Sequence, residues 1–281
     1  MTRAHREQNR KSWNEATRAH NSHKGDQAAF LERKGTTTLF AEERALLGPV
    51  KGKSLLHLQC NSGQDSLSLV KLGARVTGVD ISDEAVRFAT QLSADAGLPA
   101  TFVRRDVIDY LARPKQKFDV VFASYGVVGW LDALAPWARG IARALQPGGA
   151  FVYVDFHPAA WVFDEKGQPA YPYRSAGKVV DTVGVGDYVA KSGPGLVPWG
   201  FESGVRAFTN PHQTAQFAWG LSDILQSLLD AGLVLERFDE YPYANGCAIF
   251  GEMTMDAKRR FHLAPHYPQV PLMFGLRARH P

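Results

Sequence analysis

Apolar runs of five to seven residues alternate with amphipathic segments along much of the chain. The runs are mostly continuous, which is typical of strands buried on both faces of a parallel sheet. Between them apolar residues recur every three to four positions, as Trp137, Ile141 and Leu145 do, and this spacing predicts amphipathic helices. The alternation predicts βαβ units and an α/β fold with a doubly wound, mostly parallel sheet. The five predicted strands span residues 54–60, 75–81, 101–106, 118–124 and 151–155.

The same patterns divide the chain into four segments. Residues 1–50 contain helical stretches at 10–18 and 37–47 and lack a strand pattern, and residues 51–157 hold the five strands. Residues 158–215 are rich in glycine, proline and aromatic residues, so we expect an insertion over one end of the sheet. The core pattern then resumes and completes the sheet. This last segment, 216–281, is predicted to contain a helix at 216–230 and strands at 233–238 and 270–276.

Composition excludes several protein classes but does not identify a function. With 45% apolar and 21% charged residues among 281, the chain has the composition of a globular protein, not of a disordered or collagen-like one. It has no unbroken apolar stretch near the length of about 18 residues that a spanning helix needs. Residues 1–20 lack the apolar run of a secretory signal. Two cysteines, Cys60 and Cys247, are too few for a disulfide framework, so we expect a reducing, cytoplasmic setting.

The charge is slightly basic, with a formal net charge of +4. Residues 1–53 hold eleven basic and six acidic residues, and we interpret this excess as a solvated helical face. Attraction to an anionic substrate or to nucleic acid is the alternative. Because no basic stripe interleaved with aromatic residues accompanies the excess, we expect a small-molecule partner and no nucleic acid.

Turn-forming and acidic residues follow the first three predicted strands. A nucleotide-like ligand on such a sheet binds beyond the carboxyl ends of the strands, where the backbone must approach the ligand closely. Gly63 permits that approach, and Asn61 is among the residues that best tolerate positive φ. Asp80 ends the second strand and can accept hydrogen bonds from ribose hydroxyls, while Asp106 ends the third and can accept from an adenine amino group.

The loop after the first strand lacks the G-x-G-x-x-G pattern of dinucleotide-binding proteins. Gln59 and Asn61 stand at its first two glycine positions, so close contact with a pyrophosphate is harder to make. This favours a ligand without phosphates over NAD or FAD. A nicotinamide-dependent oxidoreductase remains the alternative.

These residues resemble the motifs of the class I S-adenosylmethionine-dependent methyltransferases, whose first motif has the form (V/L)LDLGCGxGxxSLxL. Residues 55–69 occupy that motif, with His57 in place of the usual acid and with Gln59 and Asn61 in place of glycines. The variants His-Leu-Gln-Cys, Ser-Tyr-Gly and Asp-Phe-His-Pro look like a bacterial subgroup that methylates small molecules. The family's other motifs fall on residues 74–82, 105–107, 118–124 and 145–149.

The resemblance implies a seven-stranded sheet closed by an antiparallel strand near residues 270–277, with S-adenosylmethionine as cofactor. It implies that the N-terminal helices form a lid and that residues 158–215 form a substrate cap. The backbone of residues 59–63 would hold the methionine end of the cofactor, Asp80 the ribose, and Asp106 with its neighbour the adenine. The cofactor-binding residues implied are Trp13, Gln59, Asn61, Gly63, Asp80, Ile81, Asp106, Val107 and Ser124.

A sulfonium methyl group is already activated, so the protein mainly aligns the acceptor and excludes water. If the acceptor is a hydroxyl or a protonated amine, a base must take its proton. His157 follows the fifth strand and is our candidate for that base, with a structural role as the alternative. Tyr125 follows the fourth strand and either binds the acceptor or packs.

Aromatic and histidine side chains are the candidates for contact with the acceptor. His20 belongs to the predicted lid, and tryptophan rings can stack on an aromatic or cationic acceptor, although core packing is the alternative for each. The histidines at 262 and 266 are four apart but separated by a proline, so we expect no metal site. A protein that binds the cofactor without transferring its methyl group remains a further alternative. The substrate-contacting residues predicted are His20, Trp130, Trp199 and Trp219.

Overall fold

The computed structural model describes residues 2–281, so Met1 of the predicted segment 1–50 lies outside the described residues. Strands and helices alternate through its first half, as the sequence pattern predicts. Among the described residues the strands are β1 (Ser54–Leu58), β2 (Arg75–Asp80), β3 (Thr101–Arg104), β4 (Phe118–Ser124), β5 (Leu145–Phe156), β6 (Val234–Tyr241), β7 (Ala244–Asn245), β8 (Met253–Met255), β9 (Arg260–Leu263) and β10 (Met273–Arg279). The helices are α1 (Arg3–Ser22), α2 (Gln27–Glu32), α3 (Ala41–Leu47), α4 (Gln64–Lys71), α5 (Asp83–Asp95), α6 (Val107–Ala112), α7 (Leu134–Ala144), α8 (Tyr188–Ser192) and α9 (Leu221–Asp230).

Seven of the strands form one sheet in the order β3-β2-β1-β4-β5-β10-β6. Strand β1 is parallel to β2 and β4, and β4 is parallel to β5. Strand β10 is antiparallel to both β5 and β6. The predicted doubly wound, mostly parallel seven-stranded sheet is thereby confirmed. The strand order reverses between β1 and β4, and at such a point the connections diverge and leave a crevice for a ligand.

Alternate side chains of the central strands pack into two apolar layers, one on each face of the sheet. Leu56 and Val121 lie in one layer, whereas their neighbours Leu55 and Phe122 lie in the other, and all four are fully buried. Trp137 of α7 covers the first layer and is fully buried as well. This period of two is the reason that the strands appear in the sequence as continuous apolar runs.

Three helices differ in extent from their predicted ranges, among them α3, which begins at Ala41 and not at residue 37. Helix α1 has 20 residues and exceeds the predicted stretch at 10–18. Its buried side chains are mostly small or polar, so no apolar periodicity marks its full length. Helix α9 begins at Leu221 because Gln216 pairs instead with Asp181 in an isolated bridge. None of the helices within residues 2–281 combines the length and the apolar character needed to cross a membrane.

A second, three-stranded sheet in the order β7-β9-β8 was not predicted from the sequence. Its strands have two to four residues, too few for a period-two pattern to be recognised. Strand β5 also begins earlier than predicted, at Leu145, so it includes the Pro-Gly-Gly segment that was expected to separate it from α7.

Candidate functional site

The loop after β1 keeps the backbone path of a glycine-rich turn without two of its glycines. Gln59 has a φ of 50° and Asn61 a φ of 48°, close to the φ of 81° at Gly63. Glycine adopts such values freely, whereas other residues do so at a cost of about 1–2 kcal/mol. At Gly63 space also excludes a side chain, since a Cβ there would lie 2.7 Å from the Cβ of Ala89. The loop therefore combines three positive φ values with one position where only glycine fits.

Asp80 closes this loop from the end of β2. Its Oδ2 accepts the N–H of Asn61 at 2.8 Å, and its Oδ1 accepts the N–H of Ser82 at 2.9 Å. Burial raises the pKa of the carboxyl to about 6, although these donors and the N–H of Ile81 favour the ionised form. Each carboxylate oxygen has a further lone pair for a donor such as a ribose hydroxyl.

Gln59 offers an acceptor that the protein itself leaves unused. Its Nε2 donates to the carbonyl of Val127 at 3.0 Å, which fixes the amide plane. Its Oε1 is buried and lacks a hydrogen-bond partner among the described residues. A buried acceptor of this kind is costly unless a ligand satisfies it, and the α-ammonium group of a bound S-adenosylmethionine is a suitable donor. The residues present therefore fit the cofactor that the resemblance implies.

Asp106 lies at the end of β3 and also caps α6. Its Oδ1 accepts the N–H groups of Ile108 and Asp109 at 2.9 and 3.2 Å, and the Arg6 guanidinium lies 3.5 Å from the same oxygen. Burial raises the pKa of Asp106, whereas Arg6 opposes that shift. Val107 is buried beside it. The pair lies at the sheet edge where adenine binding is predicted.

His57 occupies the position of the family's usual acid and lies inside the protein. Its ring is 2% exposed, and its Nδ1 lies 2.8 Å from the Ser66 Oγ of α4. Burial lowers the pKa of His57 to about 3, so the ring is neutral at physiological pH. The family's usual acid would bring a negative charge to the predicted methionine end of the cofactor, and the neutral His57 ring does not.

Aromatic rings from three distant segments meet beside the loop. The ring of Trp13 lies 5.3 Å from that of Trp130 and 6.4 Å from that of Tyr188, in edge-to-face arrangements. The His20 ring lies 4.1 Å from the Tyr188 ring. The Tyr188 hydroxyl accepts from the Asn61 Nδ2 at 3.3 Å. The N-terminal helix and residues 158–215 thus both reach the predicted cofactor loop.

Helix α1 is tied to this edge of the sheet by two asparagines. Asn14 accepts from the Ser82 hydroxyl at 2.7 Å and donates to Asp83 at 3.1 Å. Asn21 donates to the Ser62 hydroxyl at 2.9 Å. These bonds join the helix to the same loops that surround Asp80. Its function as a lid stays a prediction.

His20 is 1% exposed, and its Nε2 lies 2.9 Å from the carbonyl of Gly186. Its Nδ1 is buried without a partner in the described chain. Burial lowers its pKa to about 4, so this ring is neutral as well.

His157 contacts β6, which forms one edge of the sheet. Its Nδ1 accepts the N–H of Ala159 at 3.0 Å, and its Nε2 lies 2.8 Å from Glu240 Oε1 on β6. Burial lowers the pKa of His157, whereas Glu240 raises it. These contacts do not join it to the loop after β1. Its role as a base stays a prediction.

The predicted tryptophans have different surroundings. Trp130 joins the rings beside the loop, but Trp199 packs on Phe30, with 5.2 Å between ring centroids. Trp219 packs against the main core and donates its Nε1–H to the carbonyl of Leu131 at 2.7 Å. The structure thus places Trp130 beside Trp13 of α1, while the substrate contacts of all three tryptophans stay predictions.

Tyr125 follows the buried Ser124 at the end of β4 and has a φ of 50°. Asp155 holds this turn by accepting backbone N–H groups, including that of Val127 at 3.0 Å. The Tyr125 hydroxyl accepts from the Nδ2 of Asn245 at 3.1 Å. Strained backbone held by its surroundings often occurs at functional sites.

Several polar residues near the predicted site were missed from the sequence. They come from α3, α4, α8, β7 and the turn before β9, and all of them except Asp65 lie outside the motifs that they approach. No local pattern distinguishes such residues from ordinary surface positions. These residues are Glu43, Asp65, Tyr188, Asn245 and Arg259.

Residues 55–149 match the model of a family described as a methyltransferase domain. A ubiquinone biosynthesis O-methyltransferase of Methylobacterium sp. (strain 4-46) is 34% identical over 37% of this chain and 41% of its own length. An uncharacterised methyltransferase of Synechocystis sp. is 30% identical over 48% of this chain and 65% of its own. The chain therefore spans less than half of the first relative and just under two thirds of the second.

Solved structures of similar fold cover more of the chain. An S-adenosylmethionine-dependent methyltransferase of Mesorhizobium loti has a TM-score of 0.54 and 21% identity over 84% of this chain and 94% of its own. Another, of Methanosarcina mazei, has a TM-score of 0.52 and 16% identity over 86% and 97%. At these identities the likeness concerns the fold. The fold likeness and the sequence match agree on a methyltransferase domain at residues 55–149.

Proposed function

We propose that this protein transfers the methyl group of S-adenosylmethionine to an oxygen or nitrogen atom of a small molecule. The observation that carries the proposal is the loop after β1, where Gln59 and Asn61 keep positive φ although neither is a glycine. Its partner Asp80, at the end of β2, accepts the N–H of Asn61. Such a turn with an acid beside it suits an adenosyl ligand without phosphates.

In this proposal the bound cofactor supplies an activated methyl group, and the chain binds and orients the reactants. Asp80 accepts the ribose hydroxyls, and Gln59 accepts the α-ammonium group. The edge near Asp106 holds the adenine. The rings of Trp13 and Trp130 exclude water from the cofactor, which favours methyl transfer to the acceptor over hydrolysis.

An oxygen acceptor has the stronger support. Several relatives are named ubiquinone biosynthesis O-methyltransferases, and the first of them is 34% identical over the matched part. Residues 158–215 lie outside the matched family domain and lie beside the site, so they are the segment that we expect to select the acceptor. We place the reaction in the cytoplasm, because Cys60 and Cys247 are both free thiols.

Calorimetric titration with S-adenosylmethionine, with NAD as the comparison ligand, tests the first half of the proposal. We expect binding of the former and none of the latter, and the reverse result would revive the oxidoreductase alternative. For the second half, methyl-labelled cofactor is incubated with protein and a small-molecule extract. Labelled product identified by mass spectrometry as a methyl ether or a methylamine would establish the reaction type. Binding without any labelled product would instead indicate a cofactor-binding protein that transfers nothing.

A further inference from the structure

Two consecutive glutamates of α3 have opposite surroundings. Glu42 is paired: it accepts from the Tyr243 hydroxyl at 2.8 Å and from Asn245 at 3.0 Å, and it forms an ion pair with Arg260. Glu43 is 0% exposed, and its Oε2 accepts the N–H that begins the helix. Its Oε1 has no hydrogen-bond partner in the described chain. A buried carboxylate oxygen left unpaired is costly to stability, and such atoms occur where a ligand completes the site.

The groups around Glu43 come from elements that flank the predicted methionine end of the cofactor. Asp65 lies in the first turn of the helix after the β1 loop, and Tyr125 follows Ser124, which is predicted to bind the cofactor. Both side chains are close enough to affect the Glu43 carboxyl electrostatically. The Arg259 guanidinium, 4.2 Å from the centroid of the Phe40 ring, faces the same carboxyl. The unpaired oxygen therefore lies in a buried polar enclosure between α3, α4 and the turns after β4 and before β9.

A second unpaired acceptor borders the same enclosure. Asn245 is 1% exposed, and its Nδ2 is used by Glu42 and by the Tyr125 hydroxyl at 3.1 Å. Its Oδ1 is buried without a partner among residues 2–281. Two unpaired acceptors around one tyrosine hydroxyl suit a ligand that brings hydrogen-bond donors.

The charged and titratable groups facing Glu43 determine its protonation. Burial, Asp65 and Glu42 raise its pKa well above the ordinary value, whereas the Phe40 N–H and the Tyr125 hydroxyl lower it. Arg259 faces it with a positive charge. A carboxylate with a raised pKa is a stronger base than an exposed one.

We propose that Glu43 is the proton acceptor of the methyl transfer, and that Glu43, Tyr125 and Asn245 bind an acceptor that carries at least one hydroxyl. This inference rests on the proposed function. The acceptor oxygen forms a bond to the methyl carbon while the carbon–sulfur bond breaks and leaves a neutral thioether. The hydroxyl proton passes to Glu43 Oε1, so the carboxylate becomes a carboxylic acid and the charges balance.

The first test needs no knowledge of the acceptor, because it compares S-adenosylmethionine with S-adenosylhomocysteine. The two ligands differ by the methyl group and the positive charge on sulfur, and a carboxylate near that charge favours the first ligand. We expect Glu43→Gln to reduce the affinity ratio of the two ligands about tenfold. We also expect wild type, titrated in two buffers, to release more protons on binding S-adenosylmethionine than on binding S-adenosylhomocysteine. In Glu43→Gln the proton release should be equal for the two ligands.

Glu42→Gln is the matched control, since it makes the same substitution at the neighbouring residue, whose carboxylate is paired with Arg260. An unchanged ratio in Glu43→Gln, or an equal loss in both variants, would overturn the inference. Glutamine can still accept the N–H of Phe40, so the helix start is preserved in Glu43→Gln. If that variant does not fold, the proton release of wild type still decides, because equal release with both ligands contradicts the inference.

The second test measures the transfer of the labelled methyl group from S-adenosylmethionine to acceptors in the small-molecule extract. Glu43→Gln should reduce the rate at least about 100-fold and remove the rise in rate with pH, whereas Asp119→Asn, at the opposite end of the sheet, should retain both. Full activity in Glu43→Gln, or an equal loss in Asp119→Asn, would overturn the inference. Failure of wild type to bind S-adenosylmethionine would instead contradict the proposed function, which keeps the two failures distinguishable.

Discussion

Replacing Asp80 by asparagine removes one negative charge from beneath the predicted ribose and leaves the side-chain volume nearly unchanged. In the folded protein, burial raises the pKa of this carboxyl from 3.8 to about 6. A raised pKa means that the folded state holds the proton more tightly than the unfolded state. The contribution of the protonated Asp80 carboxyl to the free energy of unfolding is therefore complete below about pH 4 and is lost as the pH rises through 6. This loss of stability with rising pH should be absent in Asp80→Asn, although its amide can accept only one of the two N–H groups that pair with Asp80.

The affinity for the cofactor should instead increase as the pH rises. Ribose hydroxyls that donate to Asp80 favour its ionised form. Below pH 6 the Asp80 carboxyl must therefore lose its proton before the cofactor binds. The dissociation constant of wild type should rise by up to about tenfold for each pH unit below 6. At pH 8 the loss of charged hydrogen bonds in Asp80→Asn should weaken binding by about 1–3 kcal/mol, which is about 5- to 150-fold.

Calorimetric titration of both proteins with S-adenosylhomocysteine between pH 5 and pH 8 measures these effects. This ligand has the same ribose but no sulfonium charge, so groups near the sulfur contribute little. Asp119→Asn is the control, since its carboxylate pairs with Ser54 at the opposite end of the sheet. If the affinity of Asp80→Asn equals that of wild type at pH 8, or if its affinity still falls below pH 6, the ribose does not lie on Asp80.

Other substitutions test the loop, the buried histidine and the predicted lid. Burial lowers the pKa of His57 to about 3, so the free energy of unfolding should decrease by up to about 1.4 kcal/mol for each pH unit below 6.5. In urea unfolding at pH 5 to 7, His57→Asn should show a smaller decrease. Gly63→Ala should lose about 1–3 kcal/mol in urea unfolding, since the new Cβ meets Ala89; no loss would show that the loop is not fixed there. Gln59→Gly should relieve φ strain yet weaken cofactor binding measurably by calorimetry. Trp13→Ala should weaken that binding about tenfold, and an unchanged affinity would contradict the lid.

The central sheet could be predicted because each buried strand leaves a local signal. Residues 118–124 were predicted as a strand and form β4 with the same bounds, since an isolated apolar run has few alternatives. The cofactor loop could be predicted because its residues lie close together in sequence and at strand ends. The antiparallel direction of the closing strand β10 was predicted only from the family resemblance, since the apolar pattern of residues 270–276 does not indicate orientation.

The polar enclosure around Glu43 could not be predicted because its members lie on elements that meet only in the folded chain. Glu43 and Asn245 are about 200 positions apart, and neither belongs to a motif. Helix α1 was underestimated for a related reason. Its buried face carries Asn9, Ser12 and Thr17, which a hydrophobicity pattern places on the outside. Polar burial is decided by tertiary partners, so sequence periodicity alone does not reveal it.

The strained loop and the unpaired acceptors have a common physical explanation. Positive φ at Gln59, Asn61 and Tyr125 is unfavourable, and so are the buried, unpaired oxygens of Gln59 and Glu43. Hydrogen bonds to Asp80 and Asp155 hold the two strained turns, but the two oxygens have no hydrogen-bond partner within the described chain. A ligand that supplies donors to both oxygens would stabilise the protein through the same contacts that bind it. Saturating S-adenosylmethionine should therefore raise the unfolding temperature of wild type more than that of Gln59→Gly. Equal shifts would show that Gln59 does not contact the cofactor.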